Sequence, residues 1–115
     1  MAQDLTKERE ALQALTELVD FSIWYPGDEK SIYPTEPITF IDFGDSDITD
    51  AGLAYLTHFE RLEHLCLDET NITDAGLAHL SSLETLKVLE LQGTDVTEAG
   101  VQTLRQKLPG CEILC

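Results

Sequence analysis

Apolar residues in this chain follow two alternating spacings. In Leu62-x-x-Leu65-x-Leu67 the last two lie two apart, on one face of a strand, whereas Leu77, Leu80 and Leu83 recur at three, as along one face of a short helix. The strand pattern also occurs at Ile38-x-x-Ile41-x-Phe43 and Leu86-x-x-Leu89-x-Leu91, and in truncated form at Ile113-x-Cys115, so Ile41, Leu65, Leu89 and Ile113 stand 24 residues apart. The helix pattern Ile48-Thr49-Asp50-Ala51-Gly52-Leu53 returns at Ile72 to Leu77 and more loosely at Val96 to Val101. Thr49, Thr73 and Thr97 each precede an acid (Asp50, Asp74, Glu98), which suits a helix N-cap and the positive end of the helix dipole. Gly52, Gly76 and Gly100 fall early in these helices, where a missing side chain lets neighbouring units approach. At a spacing of 24 they belong to the repeat and not to a phosphate-binding loop.

The recurring Leu-x-x-Leu-x-Leu and Ile-Thr-Asp-Ala-Gly-Leu segments resemble the leucine-rich repeat family over residues 38–115. The variety is common in bacterial proteins and akin to the cysteine-containing and ribonuclease-inhibitor-like repeats. The resemblance implies an α/β fold, a short solenoid forming a right-handed β-α superhelix, with about four parallel strands and a helical cap at its N-terminal end. It implies little about function, because the scaffold serves many unrelated partners. Where many members carry Asn or Cys after the strand, this chain has Ser46, Thr70 and Thr94, a hydroxyl ladder expected to satisfy the turn backbone.

Residues 1–37 break the period and form the capping segment, with 38–115 as the repeat domain. Leu5, Leu12, Leu15, Leu18 and Val19 make one stripe of a helix expected from Asp4 to Asp20, with Lys7, Glu8, Glu10 and Glu17 elsewhere on its surface. The stripe is read as covering the first repeat; a docking helix for a partner is the alternative. Phe21 to Tyr25 predicts an edge strand, Pro26-Gly27 a turn, and Asp28 to Pro37 an irregular crossing. At the other end a helix from Thr97 to Lys107 leads through Pro109-Gly110 into Cys111 to Cys115. That last strand is expected to leave an open edge, either tolerated or used to form a homodimer.

Charge changes the picture of the partner. The 115 residues carry 22 acids and 7 bases, a net −15, divided as 8 acids and 3 bases before residue 38 and 14 and 4 after it. Such a balance excludes phosphate-backbone binding, so no nucleic acid and no anionic membrane surface is expected. No run is long and apolar enough for a membrane span, and Met1 to Leu5 opens no basic-hydrophobic leader, so a soluble protein is expected. Three cysteines give no disulfide framework and fit a reducing, cytoplasmic setting.

The alternation turns one set of side chains outward along the strands: Phe40, His64, Val88 and Glu112; Asp42, Cys66, Glu90 and Leu114; then Gly44, Asp68 and Gln92. Asp42 and Glu90, two strands apart, are separated by roughly 10 Å, too far to act as a catalytic dyad. His64, Cys66 and Asp68 alternate on one strand and lack the converging further ligands a zinc site needs. Asp42, Asp68 and Glu90 would raise the Cys66 thiol's pKa, which argues against a reactive cysteine. His58 and His79 are placed on the solvated convex side, and the Asn71-Ile72-Thr73 sequon is explained by the repeat. No nucleophile, base and oxyanion donor converge, so neither an enzyme nor a bound cofactor or metal is expected. The resulting expectation is a protein-protein interaction module that engages a basic protein through Phe40, Asp42, His64, Cys66, Asp68, Val88, Glu90, Gln92, Glu112 and Leu114. The alternative is a stoichiometric inhibitor or immunity-type protein that occludes a basic enzyme such as a nuclease.

Overall fold

The computed structural model describes residues 6–18, 22–24 and 38–115. These form an α/β fold with one sheet in the order β1-β2-β3-β4-β5, comprising Ser22–Trp24, Phe40–Asp42, His64–Cys66, Val88–Glu90 and Glu112–Leu114. β1 runs antiparallel to β2, and β2 to β5 are mutually parallel. Between them lie α2 (Asp50–Leu53) with a 3-10 segment (Ala54–His58), α3 (Asp74–Leu80) and α4 (Glu98–Lys107), with α1 (Thr6–Leu18) preceding the sheet.

Register follows the sequence period. Ile41 pairs with Leu65, Leu65 with Leu89 and Leu89 with Ile113, so the same position of each unit stacks on the next. The ladder continues into the turns, where Asp45 N–H donates to Asp68 C=O at 3.0 Å and Glu69 N–H to Gln92 C=O at 2.7 Å. In each of these turns one residue takes a left-handed backbone: Asp45 (φ 59°), Glu69 (φ 58°) and Gly93 (φ 74°). The core runs through all units, with Ile41, Phe43, Leu53, Leu56, Phe59, Leu62, Leu65, Leu67, Leu80 and Leu89 fully buried. A single unit has too little apolar surface to offset the entropy of ordering it, so each depends on its neighbours for cover.

Contacts between helical layers rest on a carboxylate. Asp50 accepts the backbone N–H of Thr73 at 2.8 Å and its hydroxyl at 2.6 Å; one unit on, Asp74 does the same for Thr97 at 2.8 and 2.5 Å. The acids thus reach forward 23 residues as well as sitting at a helix start. They also explain two glycines, since a Cβ on Gly76 would strike the Asp50 carboxylate and Leu53, and one on Gly100 would strike the Asp74 carboxylate. Of the expected N-caps, Thr73 and Thr97 accept from Ala75 N–H and Gly100 N–H. Thr49 makes no such bond, a correction to the uniform expectation. The hydroxyls of Thr70 and Thr94 donate to Leu67 and Leu91 C=O within their own turns, and Ser46 accepts from Ile48 N–H, so they serve each turn separately instead of forming a ladder.

The N-terminal helix departs from expectation on its buried face. α1 lies against the 3-10 segment, and Ala11, Leu12 and Leu15 are buried. Leu18, placed on the stripe, is 57% exposed, whereas Glu8, placed on the surface, is only 5% exposed. Residue 8 lies one turn before Ala11 and Leu12 on the same face and is buried with them, whereas Leu18 is the last residue of α1 and is left exposed at its end. Leu5, Val19, Phe21, Tyr25, the Pro26-Gly27 turn and the 28–37 crossing lie outside the described residues. Among the described residues no helix is long and apolar enough to cross a membrane.

Candidate functional site

Each parallel strand buries its middle residue and turns the flanking pair outward, which assembles the expected columns. Phe40, His64, Val88 and Glu112 are in register, as are Asp42, Cys66, Glu90 and Leu114. Gln92 and Asp68 join the third column through a 2.8 Å bond from Gln92 N–H to Asp68 Oδ1.

The carboxylates on this face are held in place. Asp42 Oδ1 accepts Gly44 N–H at 2.8 Å. His64 Nε2 lies 2.8 Å from Glu90 Oε2, with both side chains about one-third exposed (36% and 30%), and its ring meets Phe40 edge to face at a centroid distance of 4.8 Å. These acids are half-buried and already oriented, so little of their side-chain freedom remains. Leu114 is 36% exposed and Val88 half-buried, which adds apolar area beside the acids.

One expectation about convergence needs correction. His64, Cys66 and Asp68 alone lack converging groups, but Glu90 reaches back from β4, and one ligand atom each of Cys66, Asp68 and Glu90 lies within 4.8 Å of the others. The side chain of Glu90 spans the 4.8 Å between strands, which spacing along a single strand does not reveal. Burial, first, together with the hydrogen bond to Asp42 and the charges of Asp42 and Asp68, pushes the Cys66 thiol up to about 12, against an opposing backbone N–H from Asp68. The sulfur is therefore protonated at neutral pH, whereas nucleophilic attack uses the thiolate.

Elsewhere, a groove of about 630 Å³ near the strand starts collects Arg61, Lys87 and Lys107 on its rim. Glu63 and Glu84 share that rim, and Lys87 pairs with Glu63 at 3.1 Å, so little net positive charge remains. At the last strand, Arg105 donates to Ile113 C=O at 3.4 Å and covers part of the edge expected to be open. His58 is exposed and His79 half-buried, Asn71 is exposed, and the Thr73 hydroxyl of the sequon is occupied by Asp50. Sequence reasoning missed Asp50 and Asp74 as inter-unit ligands; their recurrence 23 residues before Thr73 and Thr97 was the available signal.

No family model and no curated protein matches the chain. Among solved structures it is similar to a chain from the "Structure of Chaetomium Mex67:Mtr2 subunits", with a TM-score of 0.56 and 15% identity over 97% of this chain and 72% of that one. At that identity the likeness is one of fold.

Proposed function

We propose that the chain is a leucine-rich repeat solenoid acting as a non-enzymatic interaction module, with the outward sheet face as its contact surface for a basic protein. The observation that carries this reading is the set of carboxylates, Asp42, Asp68 and Glu90, each oriented by a hydrogen bond beside the half-buried Phe40 and Val88. Apolar side chains flanked by fixed acids suit a partner that presents arginine or lysine beside an apolar anchor. The net charge of −15 speeds encounter with such a partner and makes the association salt-sensitive.

The test is a titration with an arginine-rich peptide, followed by NMR on the labelled protein. Shifts confined to Phe40, His64, Cys66, Val88, Glu90 and their neighbours, lost in the variant His64→Ala/Asp68→Ala, support the proposal. Shifts on α3 and α4 instead, or undiminished binding by a folded His64→Ala/Asp68→Ala variant, overturn it.

A further inference from the structure

Glu8 is the one charged residue buried among the described residues, and nothing in the proposed interaction surface uses it. It lies on α1, which packs against the 3-10 segment Ala54–His58. Its carboxyl accepts a hydrogen bond from the backbone N–H of Ile38, while Oε2, fully shielded from solvent, has no partner among the described residues. Glu60, just beyond the 3-10 segment, adds a like charge. The other charged neighbours on these elements, Lys7, Arg9, Glu10, His58 and Arg61, are exposed at the surface. A buried carboxylate with an orphaned oxygen and a neighbouring anion is unfavourable, whereas a neutral carboxylic acid in the same place is tolerated.

We propose that Glu8 is a proton-controlled clasp: its neutral acid holds α1 against the 3-10 segment, and loss of the proton releases the helix. Burial, the largest influence, and Glu60 raise the acid above its ordinary 4.5, outweighing the Ile38 N–H. Because the docked form binds the proton more tightly than the released form, docking is strongest below about pH 4.5. It weakens as pH climbs through the docked value and then levels off. In neutral solution a fraction of molecules has α1 detached, uncovering the apolar surface beneath Ala11, Leu12 and Leu15.

Hydrogen exchange of the full chain, read by mass spectrometry between about pH 5 and about pH 8.5 and corrected for the intrinsic exchange rate, tests this directly. Protection of Thr6–Leu18 is expected to fall with rising pH until the raised docked value is passed and then to level off, while Asp74–Leu80 holds steady. In Glu8→Gln the fall disappears; in Glu60→Gln it ends at lower pH and leaves more residual protection. A flat profile in the native chain, no protection of α1 at any pH, or an unchanged fall in Glu8→Gln overturns the proposal. If Glu8→Gln does not fold, the Glu60→Gln profile decides, and an unaltered fall there overturns it equally.

Discussion

Replacing Gly76 by alanine tests the forward-reaching carboxylate most directly. Alanine is the better helix former by about 1 kcal/mol, so on propensity alone α3 gains stability. The added Cβ, however, meets Asp50 Oδ1 and stands 2.8 Å from Leu53 Cδ1, a fully buried side chain. Relief requires Asp50 to withdraw from Thr73, giving up two charge-assisted hydrogen bonds of about 1.5 kcal/mol each. Displacing Leu53 adds about 1 kcal/mol of overpacking. The net expectation is a loss of about 3 kcal/mol, or about 10 °C in melting temperature for a chain of this size. Urea denaturation followed by circular dichroism measures it, with Gly110→Ala as control, because a Cβ at Gly110 meets nothing within 4 Å. In an Asp50→Ala background most of the Gly76→Ala penalty should vanish, since the obstructing group is gone. A neutral or stabilising Gly76→Ala, or an equal penalty in both backgrounds, refutes the reasoning.

Truncating the core at Leu89, fully buried in β4, should cost about 2–5 kcal/mol by urea denaturation, provided the cavity does not collapse. Asp74 is held below the ordinary 3.8 by the Thr97 hydroxyl and backbone N–H, so its contribution is present above that value and is lost as pH falls through the depressed one. Asp74→Asn should therefore flatten the acid limb of the melting-temperature profile below about pH 4. Cys66, with its thiol pushed up to about 12, should be alkylated by iodoacetamide far more slowly than the exposed Cys115 at about pH 8. In denaturant the two rates should converge; equal rates in the folded protein would contradict the geometry.

The pattern of apolar residues was sufficient for strand registry, because a spacing of two within each strand and 24 between strands leaves one arrangement in which Ile41, Leu65, Leu89 and Ile113 share a layer. The outward columns follow from the same alternation. What escaped was set by side-chain reach across units. Glu90 closing on His64 and Cys66, and Asp50 reaching Thr73, depend on rotamers and on the separation between neighbours, which no single strand or helix encodes. Glu8 escaped for a different reason: the spacing of Leu5, Leu12 and Leu15 puts residue 8 on their stripe, and only its charge argued for solvent.

The two links from Asp50 to Thr73 and from Asp74 to Thr97 are chemically the same joint, used twice. An extra segment cut at the 24-residue boundary and spliced between them would arrive carrying both halves of the fastening, an acid to offer onward and a hydroxyl to receive. The joint itself would not have to be redesigned to receive such a segment.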